Sequence, residues 1–322
     1  MRPPPSLSLL ALAALTACAG TPAKGDDPPR PPAGASSAAV ASVSAPSPVP
    51  PAPALAPVTL RAGKPCGALD CRLFDAPEDA LAVVLASKPL VLGVGEAHAQ
   101  KGMEGVGSAA KRFTEQLLPA LKDRASDLVV ELMLPPTGCQ PAEKEVRVHQ
   151  GEVTKHQADT NQSEYVTMGD AARKLGVIPD ALRPTCADLE AAAGAGDGAV
   201  VTMLETIARL AGAKAKELLS RNQKLGVERT VVLYGGALHD KAEPRPDRAA
   251  WSFGPELVRA TGGRYVELDV FVPESIQDTE SWRAFAWYPH YDRAAHGGRT
   301  ALFRTGPSSW ALIFPSGGLT HR

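Results

Sequence analysis

Leu90-Val91-Leu92-Gly93-Val94-Gly95-Glu96-Ala97-His98 decides how the rest of the chain is read. Residues 90–94 are an apolar run of strand length, and the chain then passes through a glycine, which lets the backbone turn, to an acid and an imidazole two positions apart. With the local backbone extended, both side chains project to one side. Similar Val- and Leu-rich runs recur at 128–133, 230–234, 265–271, 301–304 and 310–314, and runs of this length read as buried strands. Between the first two, residues 109–124 carry Phe113, Leu117, Leu118 and Leu121 at helical spacing, and residues 202–225 carry Leu204, Ile207, Leu210 and Leu218 near one face. Buried strands alternating with amphipathic helices predict an α/β domain with a mainly parallel sheet flanked by helices. The more polar residues 140–180 read as a helical insertion.

In open α/β sheets, ligands bind beyond the carboxyl ends of the strands. The first strand delivers Glu96 and His98 there. The second carries Glu131 inside the run Leu128-Val129-Val130-Glu131-Leu132-Met133, where an unpartnered charge is costly and calls for a metal, a protonated histidine or hydrogen-bond donors. The third ends in Gly235-Gly236-Ala237-Leu238-His239-Asp240. Three strand ends thus supply two glutamates and two histidines to the same kind of place, which makes Glu96, His98, Glu131 and His239 the candidate catalytic set. His98, Glu131 and His239 are the candidate metal ligands, and neutral imidazole with carboxylate suits zinc or manganese.

These motifs resemble the pattern shared by the ChaN-like haem-uptake, erythromycin esterase and TraB/TIKI families, with the ChaN-like lipoproteins nearest in size. The likeness covers roughly residues 90–240 and rests on Gly95-Glu96-Ala97-His98, Glu131 and Gly236-Ala237-Leu238-His239. It implies an α/β fold and a shared pocket of Glu96, His98, Glu131 and His239. Ala97 departs from the esterases, which have Thr there, and Ala99-Gln100-Lys101 departs from the more polar ChaN-like continuation. The resemblance assigns no haem ligands, so Tyr234, Tyr288, His290 and Tyr291 are contacts only by residue type.

Two functions compete on this reading, with an envelope scaffold protein as a third, blander alternative. One is a metal-dependent or histidine-based hydrolase, esterase or peptidase, acting on a small-molecule or peptide ligand, in which Glu96 takes a proton from a water held by His98, His239 and Glu131. The other is a non-catalytic binder of haem or iron. The sequence holds no G-x-S-x-G elbow, H-E-x-x-H, Walker loop or G-x-G-x-x-G, which disfavours covalent serine hydrolysis and dinucleotide chemistry. Gly194-Ala195-Gly196-Asp197-Gly198 opens a helix without following a strand and reads as a loop. Glu267 and Asp269 alternate with apolar residues and read as solvent-facing; His149, His156 and Glu164 read as a solvated helical face. The C-terminal aromatics Trp282, Trp287, Tyr288 and Trp310 read mostly as core.

The N-terminus carries an export signal: Met1-Arg2, an apolar stretch over 7–17, and Leu15-Thr16-Ala17-Cys18, which resembles a lipobox. The stretch is too short for a bilayer span, which needs roughly 20 residues. Residues 1–17 are thus the expected signal peptide, with Cys18 lipidated and the protein held in the cell envelope, on the outer membrane. Residues 21–57 hold 11 of the 30 prolines with few large apolar side chains, a composition that cannot offset its ordering entropy. The expected layout is a disordered Pro/Ala/Ser tether over 18–61 and one domain over 62–322. Formal charge is −1, or −2 once Arg2 is removed, with no basic patch, so nucleic acid is not an expected partner. Cys66, Cys71, Cys139 and Cys186 remain, an even count that favours disulfides in an exported chain. Of three possible pairings, Cys66 with Cys71 and Cys139 with Cys186 are expected.

Overall fold

A computed structural model describes residues 60–317 apart from Glu104. Cys18, the signal peptide and nearly all of the tether lie outside the described residues. In chain order the elements that build the domain are β1 (Lys64–Gly67), β2 (Cys71–Phe74), α1 (Pro77–Leu85), β3 (Val91–Glu96), α2 (Ala109–Arg112), β4 (Ala125–Met133), α3 (Gln140–Thr154), α4 (Asn161–Lys174), β5 (Ile178–Leu182), α5 (Cys186–Ala193), α6 (Ala199–Lys224), β6 (Thr230–Gly236), α7 (Gly254–Ala260), β7 (Tyr265–Phe271), β8 (Thr300–Arg304) and β9 (Ser309–Ile313).

The strands form one nine-stranded sheet in the order β1-β2-β8-β9-β7-β3-β6-β4-β5. From β9 to β5 every neighbouring pair is parallel, whereas β8, β2 and β1 extend the sheet by antiparallel pairing. All six predicted strands are present. β3 and β7 are buried along their whole length, as strands covered on both faces must be, which is why they read as near-continuous apolar runs. One face packs Leu92, Val94, Val232, Tyr234 and Leu268 against α1, α2 and α4; the other packs Val91, Val129, Leu233 and Tyr265 against α5, α6 and α7.

Three differences from the sequence reading have local causes. The helix expected over 109–124 begins as α2, widens to a π turn at Phe113–Leu117 and tightens to a 3-10 turn at Leu118–Leu121. Pro119 has no N–H for the last α-helical bond, so the regular ladder cannot continue. The insertion is helical as expected, with α3 and α4, but ends in β5, whose Pro179 is tolerated because the strand lies at the sheet edge. The hairpin β1–β2 has only four residues per strand and no apolar run to announce it.

Both expected disulfides are present: Cys66–Cys71 closes the β1–β2 turn, and Cys139–Cys186 ties the start of α3 to the start of α5. Such bonds belong to proteins that mature in an oxidising compartment outside the cytosol. No helix among the described residues is long and apolar enough to cross a membrane. Trp282 and Trp287 are core residues beside Phe271 and Phe303, with Tyr288 packed at the cluster's margin.

Candidate functional site

β3, β6 and β4 are neighbours in the sheet, so their carboxyl ends bring the predicted residues to one edge. The structure arranges them there as two pairs. Glu96 and His98 are one pair, with His98 Nδ1 2.8 Å from Glu96 Oε1. Tyr165, from α4, donates to Glu96 Oε1 at 2.8 Å, and Tyr234, from β6, donates to Glu96 Oε2 at 2.6 Å. Both tyrosine hydroxyls are held well above their usual pKa, first by burial and then by the charge of Glu96, and so keep the protons they donate. Because Glu96 accepts, His98 Nδ1 carries the hydrogen and its basic nitrogen is Nε2. With three donors on its carboxylate, Glu96 is arranged to orient His98 rather than to abstract a proton from water.

Glu131 and His239 are the second pair. Glu131 Oε2 accepts from Gly236 N at 2.7 Å, and Glu131 Oε1 stands 3.6 Å from His239 Nε2. His239 Nδ1 lies 2.7 Å from the carbonyl oxygen of Trp251. A carbonyl can only accept, so Nδ1 carries a hydrogen, and in the neutral ring Nε2 is a lone pair aimed at the carboxylate. Among the described residues neither Glu131 Oε1 nor His239 Nε2 has a hydrogen-bond partner, and both residues are buried. They border a cavity of about 20 Å³ whose walls include Val129, Leu233, Tyr234, Gly235 and Asp240. That is room for about one water molecule. Gly235 makes the arrangement possible, since a Cβ there would lie 2.3 Å from Glu131 Oε2.

The two pairs are linked through β6. Gly236 is in register with Glu96, its N–H holds Glu131, and the next N–H, of Ala237, donates to the Glu96 carbonyl at 3.0 Å. Tyr234 and Gly235 point to opposite faces of the sheet, which places Glu96 with the α4 side and Glu131 with the α6 side.

A metal would find two of its ligands here. Zn–N and Zn–O bonds of about 2.0–2.2 Å put neighbouring corners of a tetrahedron roughly 3.4 Å apart, close to the Glu131–His239 separation. His98 does not complete the set: among the described residues, the metal-binding side chains whose ligand atoms gather within 4.8 Å are Asp240, Glu267 and Asp269. The expected triplet of His98, Glu131 and His239 therefore does not fit a single ion in this geometry.

The acid group corrects one reading of the sequence. Glu267 and Asp269, expected to face solvent, are each only 6% exposed. β7 lies between β3 and β9, and the face that carries these acids meets Lys241, whose ammonium lies 3.0 Å from Glu267 Oε1, 2.5 Å from Asp269 Oδ2 and 3.3 Å from Asp240 Oδ1. Gly95, read from the sequence as a turn, lies inside β3, and the glycines of the opening motif serve this group instead. Gly93 and Gly95 are inside a strand and absent from the left-handed region, but a Cβ on Gly95 would sit 2.6 Å from Asp269 Oδ1 and 2.7 Å from Asp240 Oδ2. The missing side chains are the space the acids occupy.

Burial raises Asp240 well above the ordinary carboxylate range against the pull of Lys241, and it lifts Asp269 to about 7. Lys241 is opposed by burial, yet Asp240, Asp269 and Glu267 together hold its charge, and its pKa rises well above the usual lysine value. Between about pH 4 and pH 7 the folded protein therefore binds more protons at Asp269 than the unfolded chain does, and this group's contribution to stability falls as pH rises. Asp269→Asn is expected to flatten the pH dependence of the urea midpoint over that range; an unchanged slope would place the proton elsewhere.

Of the other expected residues, His156 is exposed and His149 is part-buried, whereas Glu164, read as solvated, is part-buried against Ser108 and close enough to Glu96 for their charges to interact. Of the residues named as possible haem contacts, Tyr234 is committed to Glu96 and Tyr288 donates to Asp278 at 2.9 Å. Sequence reasoning missed Tyr165 and Lys241.

No protein-family model matches this chain, and no curated protein matches it. Among solved structures it is similar to the type III effector HopBA1, at 11% identity over 84% of this chain and 100% of that one, with a TM-score of 0.36. It is also similar to a Bacillus cereus protein, at 9% identity over 81% and 97% of the two chains, with a TM-score of 0.33. Likenesses at this level carry no functional argument.

Proposed function

We propose that the chain is a lipid-anchored envelope hydrolase, an esterase or peptidase, that activates water with Glu131 and His239. The observation that carries this reading is the pair itself: a carboxylate oxygen and an imidazole nitrogen, both buried and without hydrogen-bond partners among the described residues, side by side on the wall of a cavity that admits one water. Leaving two such atoms unsatisfied costs about 1–3 kcal/mol each, a cost that a bound water or a reacting group offsets.

In this mechanism His239, fixed by its Nδ1–H bond to Trp251, accepts a proton from water at Nε2 while Glu131 Oε1 accepts the other water hydrogen and stabilises the imidazolium. The hydroxide attacks the substrate carbonyl, and the tetrahedral adduct collapses by breaking the ester C–O or peptide C–N bond, the leaving alkoxide or amine taking the proton from His239 Nε2. His98, oriented by Glu96 and the two tyrosines, is the second acid–base group, and its imidazolium is stabilised by the same carboxylate that holds its tautomer. The water-activating group is thus a histidine, and Glu96 acts through His98.

The test is a panel of ester and peptide substrates with wild type beside His239→Gln and His98→Gln, each checked for native circular dichroism. Removing a general base is expected to lower kcat on the order of 10²–10⁴-fold. Equal rates in His239→Gln would sink the reading. A wild type that turns over nothing, but binds one equivalent of haem with a Soret shift that survives His98→Ala, would replace it with the haem-binding alternative. Anchoring is checked separately, by the mass of the mature N-terminal peptide with and without Cys18→Ser.

A further inference from the structure

We propose that Asp240, Glu267 and Asp269 form a cation cage whose resident cation is the ammonium of Lys241, so that this centre beside the water cavity works with a tethered charge in place of a metal ion. The inference stands apart from the hydrolase reading and does not depend on it.

Three carboxylates whose oxygens approach within 4.8 Å of one another are an arrangement that oxygen-preferring divalent ions occupy. Here Lys241 Nζ lies against all three, in contact with both oxygens of Asp269 and one each of Glu267 and Asp240. Part of the cage is held by groups other than the lysine. Glu267 Oε2 is fixed by Ala242 N at 2.8 Å and by the Ser309 hydroxyl at 3.0 Å. Asp240 is 1% exposed, and among the described residues its carboxylate oxygens have no hydrogen-bond donor beyond the 3.3 Å approach of Lys241 Nζ. It shares a wall with the cavity that Glu131 and His239 face. Gly93 and Gly95 leave out the Cβ atoms that would fill the cage floor. Withdrawing the lysine side chain leaves three buried acids without their cation, so the cage retains affinity for a replacement.

The experiment uses the full chain and Mn²⁺ as the probe. Wild type is expected to melt at the same temperature with and without Mn²⁺, and Glu267→Gln is expected to leave its metal content unchanged. Lys241→Ala opens the cage and is expected to bind about one Mn²⁺, with a rise in Tm of about 5–10 °C at a hundredfold excess over Kd. Lys241→Arg keeps a cation in place and is expected to remain insensitive to Mn²⁺. Should Lys241→Ala not fold alone, recovery of native circular dichroism on refolding in Mn²⁺ is the expected result. The proposal is overturned by wild-type Mn²⁺ that Glu267→Gln releases, or by a Lys241→Ala protein that gains neither fold nor melting temperature from Mn²⁺.

Discussion

Lys241→Met is expected to destabilise the domain by about 3 kcal/mol at neutral pH, measured from the urea midpoint at unchanged m-value. Removing one partner of a buried ion pair strands the other and typically costs about 3–5 kcal/mol. The lower end applies because the lysine side chain is 22% exposed and because Asp240 and Asp269 already hold protons readily. Those protons give the prediction a direction in pH. With the ammonium gone, the three acids repel one another more strongly as they ionise, so the loss should be greater at pH 8 than at pH 5. A cost below 1 kcal/mol at both values would show that the group is hydrated and that the cage reading is wrong.

Breaking Cys139–Cys186 is expected to cost about 4 kcal/mol, the loop-closure entropy of the 47-residue separation it spans. The bond joins the starts of α3 and α5, and α4 lies between them in the chain with Tyr165 on its inner face. Freed of that tie, α3 and α4 are still held to the loop after β3 by the bonds from Lys101 N to the His156 carbonyl and from Ala158 N to the Ala99 carbonyl. The double variant Cys139→Ala/Cys186→Ala should therefore keep its α/β circular dichroism while its urea midpoint drops. Loss of the Tyr165 bond to Glu96 should follow as faster amide exchange in α4. A loss in stability under about 1 kcal/mol would mean that packing alone fixes the insertion.

The sheet and half of the site were legible because they are written locally. An apolar run that ends in Gly-Glu-x-His gives strand and chemistry within nine residues, and Glu131 betrays itself as an acid inside an apolar strand. What stayed hidden depends on pairs far apart in sequence. Tyr165 reaches Glu96 across 69 positions from a helix whose polar composition reads as solvated. Glu267 and Asp269 have the alternation of a half-exposed strand, and their burial follows from a lysine on another element and from two glycines on a neighbouring strand. The split of the four predicted residues into two pairs was likewise out of reach, because it depends on the strand neighbours that set Glu131 against Gly235 and Glu96 against Gly236 across β6.

Gly93 carries a consequence for how such a sequence can change over time. A Cβ there would meet the Tyr265 hydroxyl at 2.3 Å, and that hydroxyl donates to the backbone carbonyl of Asp240. Gly93→Ala alone is blocked, whereas after Tyr265→Phe the offending oxygen is absent and the next contacts, at 3.1 Å, ask only a slight adjustment. The order of substitutions is therefore constrained: the tyrosine must be lost before the glycine can be. A lineage that retains Tyr265 keeps Gly93 with it, and the two positions evolve as one unit.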